Sequence, residues 1–217
     1  MTPVFTRRAD RIVAAVLVGL SLTALSVVGF TYYYAMPSYT RVGYAPTQPV
    51  AFSHKIHAGQ LGMDCRYCHT HVEESPHSNV PTSQVCQSCH TQIKANSPLL
   101  AEVRQSWATG EAIEWERIHK VPEYVYFNHS IHVKRGVSCV SCHGKINEMT
   151  VVHHDQPLSM GWCLECHRNP ENHLRPVGEV YNLDWVPPAG ETQEDIGKQL
   201  ADLAKINAPQ HCGGCHR

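Results

Sequence analysis

All ten cysteines of this 217-residue chain fall into five copies of one short pattern, with none left over. The copies are Cys65-Arg66-Tyr67-Cys68-His69, Cys86-Gln87-Ser88-Cys89-His90, Cys139-Val140-Ser141-Cys142-His143, Cys163-Leu164-Glu165-Cys166-His167 and Cys212-Gly213-Gly214-Cys215-His216. Two thiols three positions apart with a histidine directly after the second form the attachment signature of c-type haem. The thiols add to the two vinyl groups of the porphyrin, and the adjacent imidazole is held under the iron as its proximal ligand. A zinc site would mix such pairs with and without the trailing histidine. A redox dithiol needs no histidine, and a disulfide framework would not set one after every second cysteine. The pattern therefore predicts five haem c groups. They are bound through Cys65, Cys68, Cys86, Cys89, Cys139, Cys142, Cys163, Cys166, Cys212 and Cys215, with His69, His90, His143, His167 and His216 as proximal ligands.

The second constraint is at the amino terminus. Ile12 to Tyr34 carries no charge, and as a helix of about 1.5 Å per residue it spans roughly 34 Å, enough to cross a bilayer core. Arg7, Arg8 and Arg11 precede it and no basic cluster follows closely. The positive-inside rule then keeps the start of the chain in the cytoplasm and exports the rest. Phe30, Tyr32, Tyr33 and Tyr34 suit an aromatic belt at the outer interface. A cleaved signal peptide is the competing reading, with Ala24-Leu25-Ser26 as a cleavage site, but the apolar stretch continues past it. Thr6-Arg7-Arg8 resembles a twin-arginine start only weakly, because Asp10 interrupts it. Ala15, Gly19 and Thr23 form a small-residue stripe that suits close packing on a partner helix in lipid, or reflects only how common small residues are in spans. The expected location is the bacterial cytoplasmic membrane, single-pass, with the cysteine-bearing part on the periplasmic side. Export suits thiols that receive haem outside the cytoplasm.

The chain divides on these grounds into a cytoplasmic start (1–11), an anchor (12–34), a Pro- and Gly-bearing linker (35–50) containing Pro37, Gly43, Pro46 and Pro49, and the motif region. That region contains an internal repeat. Phe52-Ser53-His54-Lys55-Ile56-His57 leads into the motif at Cys65, and Phe127-Asn128-His129-Ser130-Ile131-His132 leads into the motif at Cys139. Each is followed by a second motif. The expected organisation is a two-haem unit (51–98), a helical connector (99–126), a second two-haem unit (127–175) and a terminal segment with the fifth haem (176–217). In the connector Leu100, Val103, Trp107, Ile113 and Ile118 have helical spacing, broken at Gly110. Gln193 to Ile206 reads as a further helix, with Ile196, Leu200, Leu203 and Ile206 on one side. Alternation suited to strands is scarce. The fold class is thus mostly irregular and α, with little β and one transmembrane helix. The haems stand in for a hydrophobic core.

The chain has 16 histidines, so eleven remain beyond the five motifs, a surplus that suits bis-histidine ligation. In each Phe-x-His-x-x-His the two imidazoles share one face of a helical turn and can reach different irons. His54, His57, His129 and His132 are the first candidates for distal ligands. His119, just ahead of the second repeat, is favoured as the fifth. Met149 or Met160 would instead give a His/Met haem of higher potential. His153, His154, His71 and His211 are alternatives for which, one by one, a surface position is the simpler reading. No catalytic residue is evident, and no substrate chemistry of the chain's own is expected. A formal net charge of -1 gives no ground for a nucleic-acid partner.

Phe52 to His69 and Phe127 to His143 resemble the amino-terminal haem unit of the c3 and c7 types of small multihaem cytochrome. That resemblance implies His54 for the haem at Cys65 and His129 for the haem at Cys139, with His57 and His132 serving other haems. The single span, the five motifs, Val125-Tyr126-Phe127-Asn128-His129 and Leu158-Ser159-Met160-Gly161-Trp162-Cys163-Leu164-Glu165-Cys166-His167-Arg168 are together similar to the pentahaem subunit of bacterial alternative complex III. The resemblance implies an electron-transfer subunit whose partners are an iron–sulfur protein and integral membrane subunits that oxidise quinol. A soluble cytochrome c, a copper protein or an oxidase would then be the acceptor. The alternative from another class is a membrane-anchored multihaem quinol dehydrogenase that oxidises quinol at a haem near the bilayer, with His54 and Lys55 nearest.

If haem replaces the core, the chain beyond residue 50 is expected to remain unfolded in a host that cannot attach haem. Limited proteolysis checks this: a protease-resistant haem-free domain would contradict it.

Overall fold

Thr6 opens the first helix, its hydroxyl accepting from the Ala9 amide at 3.4 Å. It thereby satisfies one of the amide groups that a helix start leaves unpaired. The helix α1 then runs unbroken over Arg7–Ala35 in the computed structural model, which describes residues 6–36 and 41–216. Residues 1–5 of the expected cytoplasmic start and Pro37 of the expected linker lie outside the described residues. α1 has a mean hydropathy of 2.4 over its most apolar window, and none of that window is buried. By length and composition it is able to cross a membrane. Within it the Thr23 hydroxyl donates to the Gly19 carbonyl at 2.9 Å, so the one polar group of the small-residue stripe is satisfied inside the helix. Phe30 and Tyr34, one turn apart, bring their rings to 4.5 Å.

The chain forms two compact units, Met1–Arg41 and Val42–Arg217. Residues 42–50 of the stretch that reads as an extended linker group with the second unit. Gly43 donates to the His154 carbonyl at 2.7 Å and His154 donates back to Tyr44 at 2.9 Å. The Gln48 side-chain amide pairs with both backbone groups of Glu116, at 2.9 and 3.0 Å. Val50 is buried. Backbone groups that water would otherwise satisfy are thus paired within the unit.

Short helices carry four of the cysteine motifs: α2 (Cys65–Cys68), α3 (Ser83–His90), α6 (Val140–His143) and α7 (Met160–Arg168). Preceding residues start several helices. Asp64 accepts from Arg66 N at 2.8 Å for α2, and Ser159 from Trp162 N at 3.3 Å for α7. Asn128 accepts from Ser130 N at 3.0 Å for the second repeat's helix α5 (His129–Lys134). In the first repeat the equivalent turn, Lys55–Gln60, is a π-helix. The fifth motif forms only a 3-10 turn, Cys212–Gly214, as suits two adjacent glycines with poor helix propensity.

The connector helix is shorter than its spacing predicts. A helix α4 covers Ala101–Thr109 and stops at Gly110, whose φ of 77° closes it with a left-handed residue. Residues 111–120 have no helix, because Gln48 holds the backbone of Glu116 and the Ile118 carbonyl faces His154. The last helix, α8 (Gln193–Leu203), starts at Thr192 and ends three residues before Ile206. There Lys205, at φ 49°, directs its own amide to Asp202 and that of Ile206 to Ala201, which is the Schellman closure. Leu203 is 83% exposed, so it does not join Ile196 on the packed side.

Among the described residues there is no named strand; two isolated antiparallel bridges occur, Val125 with His216 and Val137 with Leu174. The fold is mostly helical and irregular, as its spacing predicts. The apolar interior is thin. Val72, Val133 and Val180 form one small cluster with Tyr181 against it. Such a cluster is small for a unit of this size, which ordinarily buries well over half of the surface its unfolded chain exposes.

At Gly197 α8 lies so close to the 3-10 turn Pro170–Asn172 that an added Cβ would collide with the Glu171 carbonyl. Alanine usually favours a helix over glycine by about 1 kcal/mol, but the collision is expected to dominate, so Gly197→Ala should destabilise by roughly 1–3 kcal/mol. Gly161→Ala, where the added carbon meets nothing within 4 Å, should be neutral or better. Thermal melting of the two variants checks the contrast.

Candidate haem centres

In an α-turn, residues three and four apart share a face. A motif wound this way presents both thiols and the following imidazole together. The backbone has that winding: His69 N donates to Cys65 O, His143 N to Cys139 O and His216 N to Cys212 O, each at 2.9 Å. His90 and His167 lie within α3 and α7 themselves. None of the ten cysteines is joined to another in a disulfide.

The two repeats have nearly the same internal geometry. Phe52 stands edge-on to His54 at 4.8 Å and stacked on His57 at 4.4 Å. Phe127 does the same with His129 at 4.7 Å and His132 at 4.6 Å. Each phenyl ring therefore fixes the angle between its two imidazoles.

An imidazole ligates iron through a neutral nitrogen, and the proton on its other nitrogen needs an acceptor. The structure provides these acceptors as backbone carbonyls. Nδ1 of His69 faces Asn79 O at 2.7 Å, His90 faces Ile93 O at 2.9 Å, His167 faces Pro209 O at 2.7 Å and His216 faces Tyr124 O at 3.2 Å. Among the distal candidates His57 faces Ser53 O at 2.9 Å, His129 faces Pro76 O at 2.8 Å and His132 faces Asn128 O at 2.7 Å. This leaves Nε2 of each free to take a metal. Burial holds several of these rings neutral. It pushes His54 down to about 4, with His69 and His57 adding to the shift, His119 to about 4 and His143 to about 3. His129 and His132 are lowered by the same cause.

Metal–imidazole bonds are about 2 Å, so two imidazoles sharing one metal through Nε2 place their ring centres roughly 6 Å apart. Three pairs have this separation: His57 and His90 at 6.2 Å, His132 and His167 at 6.1 Å, and His129 and His143 at 6.4 Å. These histidines fit haem iron. His54 lies within electrostatic reach of His69, with its own Nδ1 buried and unpartnered. The structure puts His119 beside the third motif, 4.3 Å from His143 and edge-on to it. His216 instead faces the ring of Tyr124 at 5.7 Å. Met149 is buried and its carbonyl accepts from Lys55 at 3.0 Å, whereas Met160 is 63% exposed at the start of α7.

His154 departs from the surface position expected for it. It is 1% exposed, stacks on His119 at 5.3 Å, holds Nδ1 against Ile118 O at 3.3 Å and has no partner for Nε2. No periodic pattern in the sequence points to it; its burial comes from Gly43 and Tyr44, more than a hundred positions earlier. His71 and His211 are exposed, and His153 is half-buried.

The family model described as cytochrome c7 and related cytochrome c matches residues 50–108 and 125–217 of this chain. Among curated proteins, the chain is similar to the multiheme cytochrome c subunit of menaquinone reductase from Nitratidesulfovibrio vulgaris (strain Hildenborough). The two are 28% identical, over 58% of this chain and 70% of that protein.

Asn79 ties the first centre together. It sits at φ 60°, its carbonyl takes the His69 ring, its Oδ1 accepts from His71 N at 3.0 Å and its Nδ2 reaches Cys68 O at 3.4 Å. Asn79→Ala is expected to cost about 1–2 kcal/mol, from the strained backbone and the lost bonds. Asn79→Gly, which removes only the bonds, should cost less. Denaturant unfolding of both variants separates the two contributions.

Proposed function

Because the chain belongs to the family of cytochrome c7 and related cytochromes c, whose cofactor is haem c, we propose that it is a five-haem electron-transfer subunit of a membrane-bound, quinone-linked respiratory complex. The haems are bound at Cys65/Cys68, Cys86/Cys89, Cys139/Cys142, Cys163/Cys166 and Cys212/Cys215. His69, His90, His143, His167 and His216 are the proximal ligands. His57, His132 and His129 complete the irons under His90, His167 and His143. His54 completes the one under His69. His119 and the buried His154 are further imidazoles beside the third centre. Each haem supplies one-electron exchange between ferric and ferrous iron, at a potential tuned by its ligands and burial.

The observation that carries the reading is the set of three imidazole pairs at 6.1–6.4 Å. In five of those six rings Nδ1 is held by a backbone carbonyl. An iron held by two of these paired histidines would have no open position for a substrate, which supports electron relay at the centres of His90, His143 and His167. The chain's own residues orient these rings, and burial favours the neutral form of His129, His132 and His143.

The finer reading is the pentahaem subunit of an alternative complex III. In it α1 anchors the chain in the cytoplasmic membrane with its start inside and the motif unit in the periplasm. An iron–sulfur protein and integral membrane subunits that oxidise quinol are the donors, and a soluble cytochrome c, a copper protein or an oxidase is the acceptor. Its support is the single long apolar helix and the sequence flanking the third and fourth motifs. The similarity to a menaquinone reductase subunit supports a quinone-linked membrane complex more broadly. A relay works in either direction, and the sign of the net flow follows from the potentials of its neighbours.

The alternative, direct quinol oxidation at a haem near the bilayer, is separated by one experiment. The full-length haem-loaded chain in detergent is mixed with a quinol analogue under anaerobic conditions, with and without its membrane partners. The relay reading expects the haem bands to stay oxidised in the isolated chain and to become reduced once the partners are present. Rapid reduction of the isolated chain would overturn it.

A further inference from the structure

We infer that the five attachment segments do not follow one another in space as they do in sequence, but lie in the order second, first, third, fourth, fifth, with the second and the fifth as the two ends open to exchange. This rests on the haem reading above and deepens it.

Each neighbour relation has its own contact. The second motif lies against the first: Tyr67 Oη and Ser88 Oγ, one inside each motif, are 2.9 Å apart, and His57 ahead of the first motif faces His90 of the second. Cys68 and Cys86 are also within electrostatic reach of one another. The first lies against the third: the side chains of Cys65 and Cys139 interact directly. The loop that follows the first motif receives the second repeat, with Pro76 O accepting from the His129 ring at 2.8 Å and Ser75 O from Ser130 N at 3.3 Å.

The third lies beside the fourth, because one turn of α5 carries both His129, facing His143, and His132, facing His167. Cys142 is within reach of both Cys163 and Cys166. The fourth lies beside the fifth: the His167 ring is held by Pro209 O at 2.7 Å, three residues ahead of Cys212, and Gln210 Nε2 reaches back to His167 O at 3.4 Å. Cys163 is within reach of Cys215. The fifth motif's other backbone contacts, Tyr126 N to Cys215 O at 2.8 Å and the bridge from Val125 to His216, lead into the second repeat.

The duplicated units therefore meet through their first motifs, and each sends its second motif outward. Exposure agrees independently. Cys89 and Cys212 are the two exposed cysteines of the ten, one in each end segment, while the eight others are partly covered. None of the six cysteines in the three inner segments is exposed. A one-electron donor, such as an iron–sulfur centre, and a one-electron acceptor, such as a haem or copper carrier, would each meet the chain at an end segment.

A high-resolution electron cryo-microscopy structure of the haem-loaded chain in its native membrane assembly tests this by locating each iron against the cysteines that hold it. The expected nearest neighbours are the irons at Cys86 and Cys65, Cys65 and Cys139, Cys139 and Cys163, and Cys163 and Cys212, with any partner redox centre closest to the iron at Cys86 or at Cys212. Five irons in another order, such as the iron at Cys86 next to that at Cys139, would overturn the inference and leave the relay standing. A partner centre closest to the iron at Cys65 or Cys139 would do the same. Fewer than five haems, or an iron with an open face, would instead overturn the reading it rests on.

Discussion

The hydrogen bond from an imidazole Nδ1 to a backbone carbonyl is the interaction on which the rest of this structure depends. It fixes the tautomer, aims Nε2 and costs the chain no side chain. Because the acceptors are main-chain oxygens, each ring's direction is set by the path of the backbone at a distant place: Asn79 for His69, Pro76 for His129, Pro209 for His167, Tyr124 for His216. The irregular loops between the motifs are thus part of the centres. A chain of regular helices and strands would have its carbonyls already paired within those elements.

The thin apolar interior follows from the same design. Few aliphatic side chains are buried, and Val72, Val133 and Val180 form one small cluster. Five macrocycles would supply the apolar surface that the aliphatic residues do not. The phenyl rings of Phe52 and Phe127, each held against two imidazoles at 4.4–4.8 Å, extend that surface. Neutral rings suit such an interior, since a buried charged imidazole would be costly. The low values for His54, His119 and His143 express that cost.

Local features of the fold were legible in the sequence where chemistry demands fixed spacing. The motif helices, the duplicated Phe-x-His-x-x-His turns and the long apolar helix are all of this kind, because each depends on residues a few positions apart. Features that depend on distant partners were not. Helical spacing at Ile113 and Ile118 was outweighed by Gln48, which takes the backbone of Glu116. The proline-bearing stretch read as linker is tied into the unit from residue 42 onward by the main chain of His154. That pairing also buries His154, whose local sequence suggests only a surface position. Similarly, the spatial order of the motifs is set by contacts such as Tyr67 with Ser88 and His167 with Pro209, which no periodicity encodes.

The central claim is that every cysteine of this chain serves to hold haem. Intact mass spectrometry of the full-length chain purified from a haem-attaching host, paired with thiol titration of the denatured protein, tests it most directly. The account expects a mass equal to the polypeptide plus five haems, and no titratable thiol. A mass short of five haems with free thiols exposed, or one matched by zinc or disulfides instead, would contradict it.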